Sequence, residues 1–266
     1  KKSLKTLKKL AESETKNRSK KYAEKARAIM KFLSAISLLL LSSPVFAEDP
    51  IQLNYDGFTI WLDCEKRAAV KFEYIAHKDG GSQKRRPKFY LDANIPKSCQ
   101  QRSTRSYRTP GKRYDRGHLA PANHFDHSAN AIKETNYMTN ILPQAAIMNR
   151  GAWVRTETIT ECRRDSEDLT VIGGVIWGQN KKDDYFLETH GVKTPSAFWK
   201  VIITEEEAIA WLIPNSKAAS WKRLDQYLVS IDTIETLTGE TIPVSQKHKL
   251  NRLSSSWTIS EGCNRG

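Results

Sequence analysis

Cysteine is scarce in this chain of 266 residues: there are four, and no two stand at the two- to four-residue spacing of a zinc-binding pair. A structural zinc module is thereby disfavoured. An apolar run long enough to cross a bilayer is also missing. The best candidate, Leu33 to Leu41, falls well short of the roughly 20 residues a spanning helix needs. No internal repeat is present. Acidic residues are fewer than basic ones, 30 against 43, for a formal charge of +13. The excess is uneven, however. Residues 1 to 29 hold eleven Lys/Arg and three Glu, whereas residues 48 to 266 hold 31 basic and 27 acidic groups, a net of only +4. The high isoelectric point therefore belongs largely to the leader, and a nucleic-acid partner has to be argued from local clusters.

What the N-terminal part does contain reads as a targeting segment. Met30-Lys31-Phe32 is a short basic start, Leu33 to Leu41 an apolar stretch, and Ser42-Ser43-Pro44-Val45-Phe46-Ala47 a small-x-small ending. Residues 30–47 are thus expected to be a signal peptide cleaved after Ala47, with no stable membrane anchor left behind. Residues 1–29 read as a disordered basic leader, either in-frame sequence ahead of a start at Met30 or a basic arm. Export to a periplasm or to the exterior agrees with disulfide candidates Cys64, Cys99, Cys162 and Cys263. Four cysteines allow three connectivities, and spacing does not choose among them. The pairs expected are Cys64–Cys99, closing the N-terminal region, and Cys162–Cys263, pinning the tail to the long helix. Residues 48–266 suffice for one substantial core, so a single domain is expected there.

Hydrophobic alternation marks Phe58 to Leu62 and Val70 to Tyr74 as half-buried strands, with a turn from Asp63 to Arg67. Lys78 to Lys88 is a loop, and Phe89 to Asp92 is extended. Tyr114 to Ala120 reads as a strand entering a turn. Ser128 to Tyr137 reads as a short helix, and Met138 to Ile141 as a short strand. Pro143 suits a helix start, where its missing N–H costs nothing, and Ala145 to Arg163 has the spacing of a helix of several turns. Leu169 to Trp177 is apolar enough for a strand buried on both faces. Phe198 to Ile203 and Ala208 to Ile213 form a hairpin. Ser230 to Leu237 is a helix with Ser230 as N-cap and Gly239 just past its end. The class is α+β, a mixed and largely antiparallel sheet flanked by helices.

The chemistry concentrates in Tyr114-Asp115-Arg116-Gly117-His118-Leu119-Ala120-Pro121, behind the basic residues Arg105, Arg108, Lys112 and Arg113. Phosphodiester hydrolysis needs an activated water, charge relief on the phosphorus and help for the leaving oxygen. A neutral histidine can take the proton from water, so His118 is the candidate general base. Arg116 either contacts phosphate or braces the site. Asp115 is either a carboxylate that orients an active-site group or a structural one bonded to nearby backbone N–H groups, the second being expected. Asn149 offers a neutral oxygen that suits Mg²⁺, which keeps several waters of its own. On an ideal helix Asn149, Trp153 and Glu157 share a face, with Glu157 about 12 Å along the axis, able to reach a metal-bound water but not the ion. His124 and His127 follow the box, but a zinc cluster with His118 would leave Asn149 without purpose.

With Thr139-Asn140-Ile141-Leu142-Pro143-Gln144, then Asn149-Arg150-Gly151-Ala152-Trp153 and Glu157, the box resembles the DNA/RNA non-specific endonucleases, ββα-metal nucleases marked by D-R-G-H. The resemblance runs on through Lys193 to Lys200, Ile213-Pro214-Asn215 and Ile234 to Gly239, roughly residues 55 to 240. It implies the ββα-metal fold and a metal-dependent endonuclease acting on DNA and RNA with little sequence preference. His118 would be the base, Asn149 would hold Mg²⁺ (Mn²⁺ as substitute), and Asn140, Glu157 and Arg116 would belong to the site. The family's arginine one helical turn past the glutamate is Glu161 here, with Arg155 or Arg163 as partial substitutes. A further family arginine corresponds to Arg85 or Arg86, which with Arg113 would bind the phosphate backbone. The competing expectation, supported by Glu161, is a relative that has lost turnover and serves nucleic-acid binding or uptake.

Overall fold

The computed structural model describes residues 49–85 and 87–263; the expected leader, the expected signal peptide and Arg86 lie outside the described residues. Six antiparallel strands form the main sheet: β1 (Ile51–Asn54), β2 (Phe58–Asp63), β3 (Ala68–Ala76), β7 (Leu169–Trp177), β8 (Pro195–Ile203) and β9 (Ala208–Pro214), paired in that order. Strand β2 alternates as its sequence does, burying Phe58, Ile60 and Leu62. The turn into β3 is set by Asp63, whose side chain accepts from the Lys66 amide at 2.9 Å, and by Arg67 in the left-handed region at φ 54°. Strand β7 runs through the middle, and its glycines are required there. A Cβ on Gly173 would stand 2.4 Å from the Phe72 ring.

Both faces of the main sheet are covered. On one, Phe72, Phe198 and Ile202 pack with Trp153, Met148 and Leu142 from the elements that carry the box. On the other, Ile172, Trp199 and Val201 pack against Ile231 and Ile234 of the helix Ile231–Thr238. That helix has the expected caps: Ser230 accepts from Thr233 N, and Gly239 follows at φ 75°. The hairpin β8–β9 is also as expected, longer by a few residues.

A second sheet holds β4 (Arg108–Thr109), β5 (Lys112–His118) and β6 (Ile141–Ala145). It departs from the expected layout in two ways. Met138–Asn140 is a 3-10 turn rather than a strand, and Pro143 lies inside β6 opposite Arg116 rather than at a helix start. β6 is an edge strand, where a residue without an N–H is tolerated. Asn215 then closes that edge. Its Nδ2 donates to Pro143 O at 3.0 Å and Pro195 O at 2.8 Å, and its Oδ1 accepts from Ala145 N at 2.7 Å. One amide side chain thus joins the two sheets.

The long helix is not uniform either. It comprises Ala146–Met148, a π-helical turn Asn149–Trp153, and the α-helix Val154–Arg163. The loop before Trp221 docks so closely on the π turn that a Cβ on Gly151 would meet Trp221 N at 2.9 Å. Ala152 N bonds across to Ala219 O at 3.2 Å. An outside carbonyl thereby competes for an amide of the helix, and the wider turn follows. The short helix Ala129–Thr135 is capped by Ser128, which accepts from Ala131 N.

Both disulfides form as expected. Cys64–Cys99 joins positions 35 residues apart and Cys162–Cys263 positions 101 apart, the latter fastening the end of Val154–Arg163 to the C-terminal tail. In the chain-entropy account the longer loop stabilises more, by roughly 1 kcal/mol. Replacing Cys162 and Cys263 by Ser should therefore cost about that much more than the same change at Cys64 and Cys99, read from guanidinium unfolding curves. Equal losses would show that native contacts, not loop closure, dominate.

Candidate active site

Strand β5 ends on His118, and its register against β6 places Gly117 over Leu142 and His118 over Ile141. Gly117 admits no side chain, because a Cβ there would stand 2.2 Å from the Gln144 amide. That amide donates to the His118 carbonyl at 3.3 Å, and the Trp153 indole N–H donates to the same oxygen at 3.1 Å. The backbone at His118 is held from β6 and from the helix together.

The imidazole is buried, 7% exposed. Its Nε2 lies 3.0 Å from Asn136 Oδ1. Asn136 Nδ2 donates to Ile132 O at 3.2 Å, which turns the amide oxygen toward the ring. Nε2 therefore carries the proton and Nδ1 the lone pair. Nδ1 faces the Arg85 guanidinium at 3.4 Å. Burial, and then the charge of Arg85, push the imidazolium form down to about 3, so the ring is a neutral base across the physiological range. Asn136 is a site residue the sequence reading missed; no periodic or motif signal distinguishes it from its neighbours.

Asp115 bonds to side chains rather than to backbone N–H groups, which corrects the structural role expected and fits the other one, orienting a neighbouring side chain. It accepts from Asn149 Nδ2 at 3.0 Å and from Arg150 Nε and Nη2 at 2.8 and 2.7 Å. A carboxylate only accepts, so the Asn149 nitrogen must face it and the amide oxygen is left for another partner. Among the described residues no three His, Cys, Asp or Glu gather as a metal-binding cluster. A single neutral oxygen beside a carboxylate suits a hard ion that keeps most of its water, and does not suit zinc. His124 bonds Tyr74 OH through Nδ1 at 2.8 Å, and His127 faces Asp56, so neither joins His118.

The other candidates divide. Arg116 donates to Thr104 O at 2.8 Å and lies 3.9 Å over the Phe89 ring, a brace by these contacts. Asn140 is fully buried, and its amide is occupied by backbone: Oδ1 accepts from Ala120 N, while Nδ2 donates to Ala120 O and Thr135 O. Both amide hydrogens are committed, so Asn140 shapes the turn behind His118 and has none to offer a substrate. Arg113 is exposed at the rim of a groove of about 1000 Å³ that Tyr114, Arg150, Lys217 and Trp221 also line.

Glu157 is partly buried. Desolvation raises its carboxyl, while the charges of Lys200 and Arg85 oppose that rise. The π turn between Asn149 and Glu157 replaces the ideal spacing from which a shared face was expected. Lys200 was not anticipated, though strand parity puts it beside Phe198 and Ile202. Glu161 faces away, in a buried network. Its Oε2 lies 3.1 Å from His124 Nε2 and 3.2 Å from Asn123 Nδ2, and its Oε1 accepts from Arg164 Nη2 at 2.6 Å. Neither proposed substitute for the family arginine is available. Arg155 donates to Trp221 O, and Arg163 is engaged with Glu167, Glu207 and the Trp257 ring.

Comparison with known proteins gives the family and the fold. The model of the DNA/RNA non-specific endonuclease family matches residues 41–251. The mitochondrial nuclease EXOG of Xenopus laevis is 30% identical over 177 residues, 60% of this chain and 48% of that protein. Human mitochondrial endonuclease G is 28% identical over 142 residues, 48% of each. The chain spans about half the length of these relatives. The fold aligns with a crystal structure of an EndoG/EndoGI complex at a TM-score of 0.63 and 22% identity, covering 76% of this chain and 90% of that one. With a ββα-metal nuclease fold and a family match across most of its length, the chain belongs to the DNA/RNA non-specific endonucleases.

Proposed function

We propose that this chain is an exported, divalent-metal-dependent endonuclease that hydrolyses phosphodiester bonds in DNA and RNA with little sequence preference. The observation that carries the reading is the His118 ring, whose Nε2 proton is committed to Asn136 while its Nδ1 lone pair points at a cation. A buried imidazole fixed in that tautomer is a base, and Arg85 stands where the phosphate of a substrate would be received. Asn149 Oδ1 would hold Mg²⁺, or Mn²⁺ in its place, with water completing the shell. When bound, such an ion neutralises phosphate charge and eases departure of the 3′ oxygen.

The residues of the chain do the rest. Nδ1 of His118 takes the proton of the attacking water. Asn136 orients the ring and shares the positive charge that develops on it. Arg85, released from Nδ1 by a phosphate oxygen, neutralises the phosphate. Glu157 accepts from water in the site, and Arg116 holds Phe89 against the imidazole, the two rings 5.6 Å apart. The groove beside Arg113 offers cations and the Trp221 and Tyr114 rings to an extended strand, contacts indifferent to sequence. The two disulfides support an oxidising compartment, periplasmic or extracellular, although the named relatives are mitochondrial. The alternative of lost turnover rested on Glu161. Its carboxylate is occupied by His124 and Arg164 away from His118, so it does not argue against cleavage.

His118→Ala should lower kcat at least about 100-fold with DNA binding nearly intact, as loss of a general base does. Plasmid nicking and filter binding measure the two separately, and a fully active variant would remove His118 from its role. EDTA should abolish cleavage by the unaltered protein, and Asn149→Ala should raise the Mg²⁺ concentration for half-maximal rate at least about tenfold. Because the folded imidazole titrates far below its ordinary value, its neutral form contributes stability that is complete above pH 6.5 and lost as pH falls from there toward 3. The kcat/KM profile should accordingly keep its acidic limb well below 6.5. A limb at 6.5 would show an imidazole open to water.

A further inference from the structure

The most unusual charge in the described residues is Lys200. It lies on β8 between Gly173 of β7 and Trp211 of β9, on the face that buries Phe198 and Ile202, and it is wholly inaccessible at 0%. Its ammonium stands 3.9 Å over the Trp153 ring and has no hydrogen-bond partner among the described residues. A lysine that only filled space would be replaced at a gain by methionine or leucine, since a buried ammonium without hydrogen bonds is costly. The charge must be compensated by something other than a close ion pair.

The groups that face it identify the compensation. Glu157 stands four residues past Trp153, the ring under the ammonium, on the same helical run, and each of the pair acts on the other's ionisation. His124 lies within the field of Lys200, Tyr74 and Arg85 within that of Glu157. Of the two cations facing Glu157, Arg85 also contacts His118 and is the one a phosphate would draw away. Lys200 is sealed in the core and stays.

We propose that Lys200 is a positioning residue for cleavage: a buried counter-charge, set on the Trp153 ring rather than bonded to Glu157, that keeps Glu157 oriented as an acceptor. The Trp153 ring carries the ammonium on its face, its indole N–H donates to the His118 carbonyl, and Trp153 also acts on the Glu157 carboxyl. One side chain therefore touches the cation, the acceptor and the strand of the base. This inference rests on the nuclease reading above.

The test compares Lys200→Met, Lys200→Arg, Glu157→Gln and the double variant Glu157→Gln/Lys200→Met in plasmid cleavage with Mg²⁺ from pH 5 to 9. Lys200→Met should lose kcat progressively on the acidic side, approaching about tenfold below its limb, and recover as pH rises, the limb displaced upward by about a unit, with KM within about twofold. Lys200→Arg should retain the wild-type limb. The double variant should be no slower than Glu157→Gln, because Lys200 acts through Glu157. A wild-type pH profile in Lys200→Met, or losses that multiply in the double variant, would overturn the proposal. Melting temperatures separate this failure from that of the nuclease reading. Even if the wild type cuts nothing, Lys200→Met should lose melting temperature relative to it as pH rises from about 4 to 7, below the range near 8 in which Lys200 itself titrates, because an uncompensated Glu157 resists ionising in the fold. Glu157→Gln should cancel that trend. A difference flat in pH defeats the inference. If Lys200→Met alone does not fold, the double variant should, since it removes both charges, and its failure would make Lys200 a packing residue only.

Discussion

Two side chains from different elements donate to one backbone oxygen, the carbonyl of His118, and the rest of the site depends on that clasp. The Trp153 indole reaches it from the π turn and the Gln144 amide from β6. Three residues earlier on the same strand, Asp115 binds Asn149 and Arg150. Strand β5 and the helical run are thereby fastened at both ends of the box, and the base and the candidate metal ligand are carried by one joint. The contribution to stability is modest. A neutral hydrogen bond is worth about 1 kcal/mol net, and the Arg150–Asp115 pair, with Arg150 62% exposed, is screened by water. What the joint supplies is position, on which catalytic rate depends far more steeply than stability does.

Much of this was legible because it is local. Alternation from Phe58 to Leu62 names its own buried face, Ser230 and Gly239 bracket a helix, and the D-R-G-H box announces its chemistry. What escaped is decided by contacts distant in sequence. Pro143 looks like a helix start to any rule based on its missing N–H. Only the pairing of β6 with β5 on one side, and Asn215 on the other, makes an edge strand of it. The π turn at Asn149 follows from the approach of residues 219 to 221, about 70 positions away. Asn140 reads as a site residue by its place in the segment, yet its amide is consumed by the backbone it supports.

Glu161 illustrates the same limit from the other side. Read alone, a carboxylate where the resemblance implies an arginine suggests damage to a phosphate site. In the fold it belongs to a buried group in which Arg164 bonds both Glu161 and Asp79 and His124 bonds Tyr74. Removing one member of such a set leaves the others buried and unpaired, which is costly. The carboxylate at this position therefore belongs to the network rather than to the chemistry beside it.

The balance of charge follows a similar logic. The folded part is nearly neutral, with 31 basic against 27 acidic groups after residue 47, so long-range attraction to a polyanion is weak and largely screened beyond about 10 Å in salt. The cations that matter on the proposed reading are few and local: exposed Arg85 against the imidazole, half-buried Arg116 on Phe89, and Lys200 sealed beneath Trp153. A few charges set within the site, one of them out of water, act mainly at short range. Their field is felt chiefly by a phosphate already in the site. That distribution favours stabilising the reacting group over retaining the strand, which an enzyme cutting a long polymer must release after each cut.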